Sequence, residues 1–192
     1  MPLLAQENQI TVQNLFAAFE GESNAHARYV AFAARADEER FYGAASLFRA
    51  AARAEQIHAA NHARVIHQLG GETRCAIHPV VVATTAENLK IALYGEKHEV
   101  EIMYPGFIAE AKEHGNAAAV RSFTGAFEAE KTHVRLYSDT IAQVEGGRAD
   151  TWIATAREFY VCPVCGYTSD TEEEHERCPV CNVLWERFEI IL

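Results

Sequence analysis

Two short stretches put a carboxylate and an imidazole three residues apart in runs that read as helix: Glu55 and His58 in "RAEQIHAA", Glu130 and His133 in "FEAEKTHV". Spacing i, i+3 places both donors on one face about one turn apart, so one helix can bridge two cations with its Glu and bind one terminally with its His. A single such pair in an Ala-rich helix is ordinarily a solvated face. Here Glu22, and Glu96 with Glu99, accompany the two pairs. Further on, Cys162, Cys165, Cys178 and Cys181 form two Cys-x-x-Cys pairs with twelve residues between them. Four thiolates so arranged make a tetrahedral site for zinc or iron. Zinc there would be a structural staple or interaction module; iron could carry one electron. Cys75 stands alone and reads as a bystander thiol.

The elements that must position these residues follow from apolar periodicity. Before residue 148 the chain is rich in Ala, Glu and Arg, with apolar residues at helical spacing, and four helices are expected over 10–37, 43–69, 86–113 and 116–145. Their core-facing stripes each carry a glutamate near the midpoint: Glu22, Glu55, Glu96 and Glu130. Hairpin partners run in opposite directions, so only midpoint residues meet at one level whichever way each helix runs. Four unpaired carboxylates there would repel one another and cost several kcal/mol each in desolvation, a conflict that cations remove. One Glu from each of two helices with Glu-x-x-His from the other two is the carboxylate di-iron arrangement of helix bundles. Glu99 exceeds that minimal set and leaves room for the coordination to change with oxidation state.

Neighbouring residues are read more plainly. Tyr29 and Tyr104 lie within two turns of the cluster, and each either hydrogen-bonds a ligand carboxylate or is an ordinary core tyrosine. His62 suits a core or ligand-supporting role, with His26 and His98 similar, while His67, His78 and His114 suit the surface or loops. Glu20, Glu101 and Glu128 should point to solvent. Gly21 and Gly95 sit inside helices at a cost of about 1 kcal/mol relative to Ala, for which room around a cluster or close helix packing would account. Gly70-Gly71 and Gly146-Gly147 are helix stops, and Thr84 with Glu87 can form a capping box.

Short joints make the first and second helices, and the third and fourth, antiparallel neighbours. The connector over residues 70–84 can reach about 50 Å at about 3.3 Å per residue, against about 42 Å for a helix of about 28 residues. It can therefore cross the bundle. The expected fold is mainly α: a ferritin-like four-helix bundle with one long crossover, then a small β-rich metal domain. The divisions fall at 1–147 for the bundle, 148–158 for a linker and 159–192 for the cysteine domain. That last segment holds seven acids and two arginines, half of the net charge of −10. So acidic a chain suits neither nucleic acid nor an anionic membrane. No apolar run approaches a membrane span and "MPLLAQENQI" lacks a signal peptide's features, so a cytoplasmic protein is expected.

Taken together, "FEGESNAHARY", "AEQIH", "YGEKHEVEIMYPGF", "AEKTH" and the closing "CPVCGY…CPVC" resemble the rubrerythrin family in order and spacing along essentially the whole chain. The resemblance implies a ferritin-like di-iron domain followed by a rubredoxin-like domain. Two non-haem irons would be held by Glu22, Glu55, His58, Glu96, Glu99, Glu130 and His133, with Tyr29 and Tyr104 beside them. One iron, or zinc in a recombinant sample, would be held by the four cysteines. It further implies a homodimer that reduces hydrogen peroxide to water, as the terminal component of a peroxidase system drawing on reduced pyridine nucleotide through an external electron-donor protein. In that family the rubredoxin-like centre is often closest to the other subunit's di-iron site. No Gly-rich dinucleotide fingerprint follows a strand, so the nicotinamide itself is expected to bind elsewhere. The competing readings are a ferritin-like ferroxidase that handles iron, and a helical scaffold with a zinc ribbon. The first has no need of an electron inlet, and the second leaves the seam ligands unexplained.

Overall fold

The computed structural model describes residues 4–171 and 176–192, so residues 172–175 of the acidic run lie outside the described residues. Five α-helices come first: α1 Leu4–Glu38, α2 Tyr42–Gln68, α3 Thr85–His98, α4 Tyr104–Glu113 and α5 Ala117–Glu145. Between α3 and α4 runs a π-helical segment, Glu99–Met103. The expected third helix is thus one rod with a widened turn in its middle. The first helix starts at Leu4 rather than residue 10, because "LAQENQ" contains nothing that stops a helix.

Helix ends follow the sequence closely. Thr84 and Glu87 form the capping box at the start of α3, and the Asn116 side chain accepts from the Ala119 N–H at the start of α5. Gly70 and Gly147 take φ of +83° and +80° just beyond the ends of α2 and α5, where a side chain would be strained. The crossover is pinned twice. Asn24 on α1 donates to the Ala76 carbonyl and accepts from His78 N–H, and Glu39, just past the end of α1, accepts from Thr85 N–H at the far end.

The bundle core has two apolar parts. One gathers Tyr29, Phe32, Phe48, Leu89 and Tyr137; the other gathers Leu15, Ile66, Tyr104, Ala111 and Phe123. The buried carboxylates and histidines of the four seams form a polar layer between them. Among the described residues no helix is long and apolar enough to cross a membrane.

After α5 the chain turns back along α2. Gly43 N–H donates to the Trp152 carbonyl, Ala154 N–H to the Arg40 carbonyl, and Arg157 N–H to Ser46 Oγ. The C-terminal part is a small antiparallel sheet in the order β2-β1-β3, from Phe159–Val161 (β1), Thr168–Ser169 (β2) and Glu189–Ile191 (β3). It is held against the bundle by a two-pronged Arg53–Glu189 pair at 2.6 and 2.8 Å and by Arg135–Asp170 at 2.9 Å.

Candidate metal centres

Six of the seven expected bundle ligands converge. One group comprises Glu22, Glu55, His58 and Glu130, and the other Glu55, Glu96, Glu130 and His133, with the candidate ligand atoms in each within 4.8 Å of one another. Glu55 and Glu130 belong to both groups. They would be shared between two ions, with Glu22 and His58 completing one position and Glu96 and His133 the other. His58 Nδ1 lies 2.9 Å from Glu55 and 2.7 Å from Glu130, and His133 Nδ1 lies 2.7 Å from Glu130. All six side chains are buried.

Electrostatics show what this arrangement costs. Burial first, and then neighbouring carboxylates, hold Glu22, Glu55 and Glu130 well above the ordinary carboxylate range. Burial acts on Glu96 in the same direction, but the His133 charge 3.4 Å away brings it below its usual value. Burial lowers His58 and His133, and the adjacent carboxylates more than reverse that. Glu22 Oε2, Glu55 Oε1, Glu96 Oε2, both Glu130 oxygens and His133 Nδ1 are buried without a hydrogen-bond partner. A cluster of unpartnered acceptors turned toward one another suits a pair of cations and little else.

Glu99, the seventh expected ligand, stands apart. It begins the π segment, is half-buried, and belongs to neither group. Burial, followed by the charges of Glu22, Glu96 and Glu55, raises its pKa, so it remains a neighbour of the cluster. The two tyrosines take the hydrogen-bonding alternative. Tyr29 donates to Glu96 at 2.6 Å and Tyr104 donates to Glu22.

Of the other histidines, His62 is buried and His26 bonds the Ala52 carbonyl at 2.7 Å. His98 is exposed, contrary to the expectation that it resembles them, because it points off the far side of α3. The glycine argument also needs correction. A Cβ at Gly21 would meet nothing within 4 Å and one at Gly95 only Tyr29 Oη at 3.9 Å, so neither glycine is required by packing.

The cysteines form two turns of one pattern. Cys162 N–H donates to Tyr167 O and Gly166 N–H to Cys162 O; likewise Cys178 N–H donates to Val183 O and Asn182 N–H to Cys178 O. Gly166 and Asn182, at equivalent places, both have left-handed φ, +80° and +64°. The four sulfurs lie within 4.8 Å of one another, with Cys162–Cys181 at 3.4 Å and Cys165–Cys178 at 3.6 Å. Hydrogen bonds shared among the sulfurs hold the Cys178 thiol down to about 2 and, with burial, push the Cys162 thiol up to about 12 and that of Cys165 higher still, so without a cation the four cannot all be thiolates.

The two centres touch within one chain. His58 Nε2 bonds the Cys165 carbonyl at 3.0 Å, and His133 Nε2 meets Thr168 Oγ1 at 3.1 Å while Thr168 Oγ1 donates to the Gly166 carbonyl. A carbonyl only accepts, so Nε2 of His58 carries its proton and Nδ1 is free for a metal. Thr168 has spent its proton on Gly166, so the same follows for His133. A Cβ at Gly166 would lie 2.3 Å from His58 Nε2. Within the chain, the linker's return along α2 brings the cysteine loop to the bundle. Sequence spacing carries no sign of the Gly166 and Thr168 contacts.

Comparison with known proteins agrees with this architecture. The rubrerythrin family model matches residues 13–141, and the rubredoxin-like domain of rubrerythrin matches 160–189. Rubrerythrin-2 of Clostridium acetobutylicum is 33% identical over 97% of this chain and 99% of its own length. Nigerythrin of Nitratidesulfovibrio vulgaris is 38% identical over 89% of this chain and 81% of its own. The fully reduced, all-ferrous structure of nigerythrin superposes with a TM-score of 0.83 at 35% identity, covering 94% of this chain and 86% of that one. A Desulfovibrio desulfuricans bacterioferritin shares the fold alone, at 22% identity and a TM-score of 0.75. With a ferritin-like di-iron site and a four-cysteine rubredoxin-like site in that order, this chain belongs to the rubrerythrin family.

Proposed function

We propose that this chain is a non-haem peroxidase that reduces hydrogen peroxide to water, with electrons relayed from the cysteine-bound iron to the bundle. The observation that carries this reading is the His58–Cys165 hydrogen bond, which joins a candidate ligand of one centre to the backbone of a ligand of the other. An iron-storage role gives no reason for such a connection. When bound, two bundle irons supply the two electrons that peroxide consumes, and the four-thiolate iron replaces them one at a time.

The chain's own residues do the rest. Glu55 and Glu130 hold the two positions together, and Glu22 with His58 and Glu96 with His133 complete them. Tyr29 and Tyr104 fix the terminal carboxylates by donating to them. The apolar layers above and below exclude water from the polar layer. Glu99, which feels the charges of Glu22, Glu96 and Glu55, would be a further carboxylate available to the pair. An external electron-donor protein reduces the cysteine centre. A homodimer fits the exposed apolar residues Val81, Ile91 and Tyr94 on the crossover and α3, which a second copy would cover.

The test is to reduce the iron-loaded protein anaerobically, add hydrogen peroxide, and follow the red thiolate-to-iron absorption. Return of colour on mixing, with peroxide consumed, is the expected result. Colour that stays bleached, or stoichiometric zinc at the cysteines of protein from its native source, would turn the assignment toward iron handling or a scaffold.

A further inference from the structure

Peroxide reduction to two waters takes up two protons along with two electrons. The electrons have an entrance through Cys165; the protons need one too. His62 is the buried imidazole that the metal pair does not use. It is fully buried, with its ring 6.0 Å from that of Tyr104 and 5.4 Å from that of Phe123. Both of its nitrogens are engaged: Nδ1 lies 2.8 Å from Ser122 Oγ and Nε2 3.1 Å from Tyr104 Oη. Tyr104 in turn hydrogen-bonds Glu22.

The direction of every bond in this row follows from the inventory of donors. Tyr104 donates to Glu22, as it must wherever that carboxylate serves a cation, and so has spent its single proton. Tyr104 must then accept from His62, which places the imidazole proton on Nε2. Nδ1 is left as an acceptor, and Ser122 donates to it. Ser122 is half-buried on α5 and forms the outer end of the row. Three O–H or N–H bonds thus point head to tail from the surface of α5 to a candidate metal ligand. A neutral imidazole suits such a relay, because it can take a proton on one nitrogen and release one from the other. Burial, with His58 a smaller cause, holds the His62 pKa down to about 3, so the ring carries no standing charge beside the metals.

We propose that Ser122, His62 and Tyr104 form the proton inlet of the bundle site, delivering protons from solvent to the Glu22 side of the pair. Each step breaks one O–H or N–H bond as the next forms, with solvent replacing the proton given up by Ser122; no electrons move along the row. This rests on the peroxidase reading, and it places both inlets on the same half of the site, since Glu22 and His58 share one group.

The test uses the full iron-loaded chain with His62→Gln, whose amide can keep both hydrogen bonds but cannot relay a proton. A second variant, Ser122→Val, closes the outer end without touching His62. Both are expected to keep wild-type iron content and thermal midpoint. Single-turnover oxidation of the all-ferrous protein by peroxide should slow on the order of a hundredfold, the low end for positioned proton transfer, with a larger solvent deuterium isotope effect. A readout independent of turnover is 15N NMR of the zinc-loaded wild type, where His62 should be neutral with its proton on Nε2. Wild-type oxidation rates in His62→Gln, or a His62 proton on Nδ1, overturn the inlet and leave the peroxidase reading standing. Failure of the wild type to oxidise with peroxide overturns that reading itself.

Discussion

The two metal centres are built on opposite plans. The cysteine site draws all its ligands from two turns of the same hydrogen-bonded pattern, and among the described residues only the half-buried Tyr167, Val180, Val183 and Phe188 pack around it, while Phe159 and Val161 of the sheet join the bundle core. The bundle site draws ligands from helices far apart in the chain, between two well-filled apolar layers that need no metal to associate. In the first the metal makes the structure. In the second the structure already exists and forces carboxylates together, and the metal relieves the conflict.

The sharpest way to break this contrast is to remove one ligand from each site. Cys178→Ala should unfold the C-terminal sheet, since metal binding of about 10 kcal/mol or more is folding energy in such domains. Hydrogen exchange should show β1–β3 unprotected and α1–α5 intact; retained protection of the sheet would sink the idea. Glu55→Gln should do the reverse, emptying both bundle positions of iron while leaving the metal-free bundle at least as stable, because a neutral amide replaces a buried carboxylate crowded by Glu130 and Glu96. A lower thermal midpoint for metal-free Glu55→Gln would contradict the account. The same conflict has a pH signature. Glu22, Glu55 and Glu130 are raised above their ordinary 4.5 in the folded state, so their contribution is full below that value and is lost as pH rises through the folded pKa values. Glu96 runs the other way. Metal binding needs the deprotonated ligands, so the midpoint difference between loaded and metal-free protein should widen as pH rises above 4.5. A constant difference would count against it.

The place where the sites meet allows a finer comparison. Gly166 and Asn182 share a left-handed conformation at equivalent positions, so conformation alone does not demand the glycine. What demands it is His58 Nε2, 2.3 Å from where a Cβ would stand. Gly166→Ala should weaken docking by about 1–3 kcal/mol, the cost of stranding a buried donor and acceptor, and slow reoxidation of the cysteine iron. Asn182→Gly, on the exposed turn, should leave that rate unchanged. The smallest effect concerns two tyrosines whose rings lie 5.8 Å apart. Tyr29 has its partner in Glu96, whereas the buried Tyr137 hydroxyl has none. Tyr29→Phe should therefore cost about 1 kcal/mol in thermal unfolding, and Tyr137→Phe should be neutral or slightly stabilising.

What can be read from sequence is whatever repeats along one helix or within one turn. The glutamates at four midpoints, the two Glu-x-x-His pairs and the Cys-x-x-Cys turns are local patterns, and the capping box at Thr84 is another. Contacts between elements leave no such trace. Gly166 looks like an ordinary turn glycine, whereas Gly21 and Gly95 invite a packing explanation that the structure does not supply. His62 is visible as a stripe residue, but its partners Ser122 and Tyr104 sit on other helices. The third helix shows only a hint, in that Glu99 exceeds the minimal ligand set; it falls in the widened turn.

That widened turn has a genetic consequence. An α-helix advances about 100° per residue, and the five residues Glu99–Met103 absorb a phase change between the half-helix carrying Glu96 and the half carrying Tyr104. Loss of a single codon within it would return the rod to regular winding and leave Glu96 and Tyr104 both facing as they do, whereas the same loss elsewhere in the rod would swing the residues beyond it by about 100°. The widened turn is therefore the stretch where this rod can change its length by one residue without disturbing what either half carries.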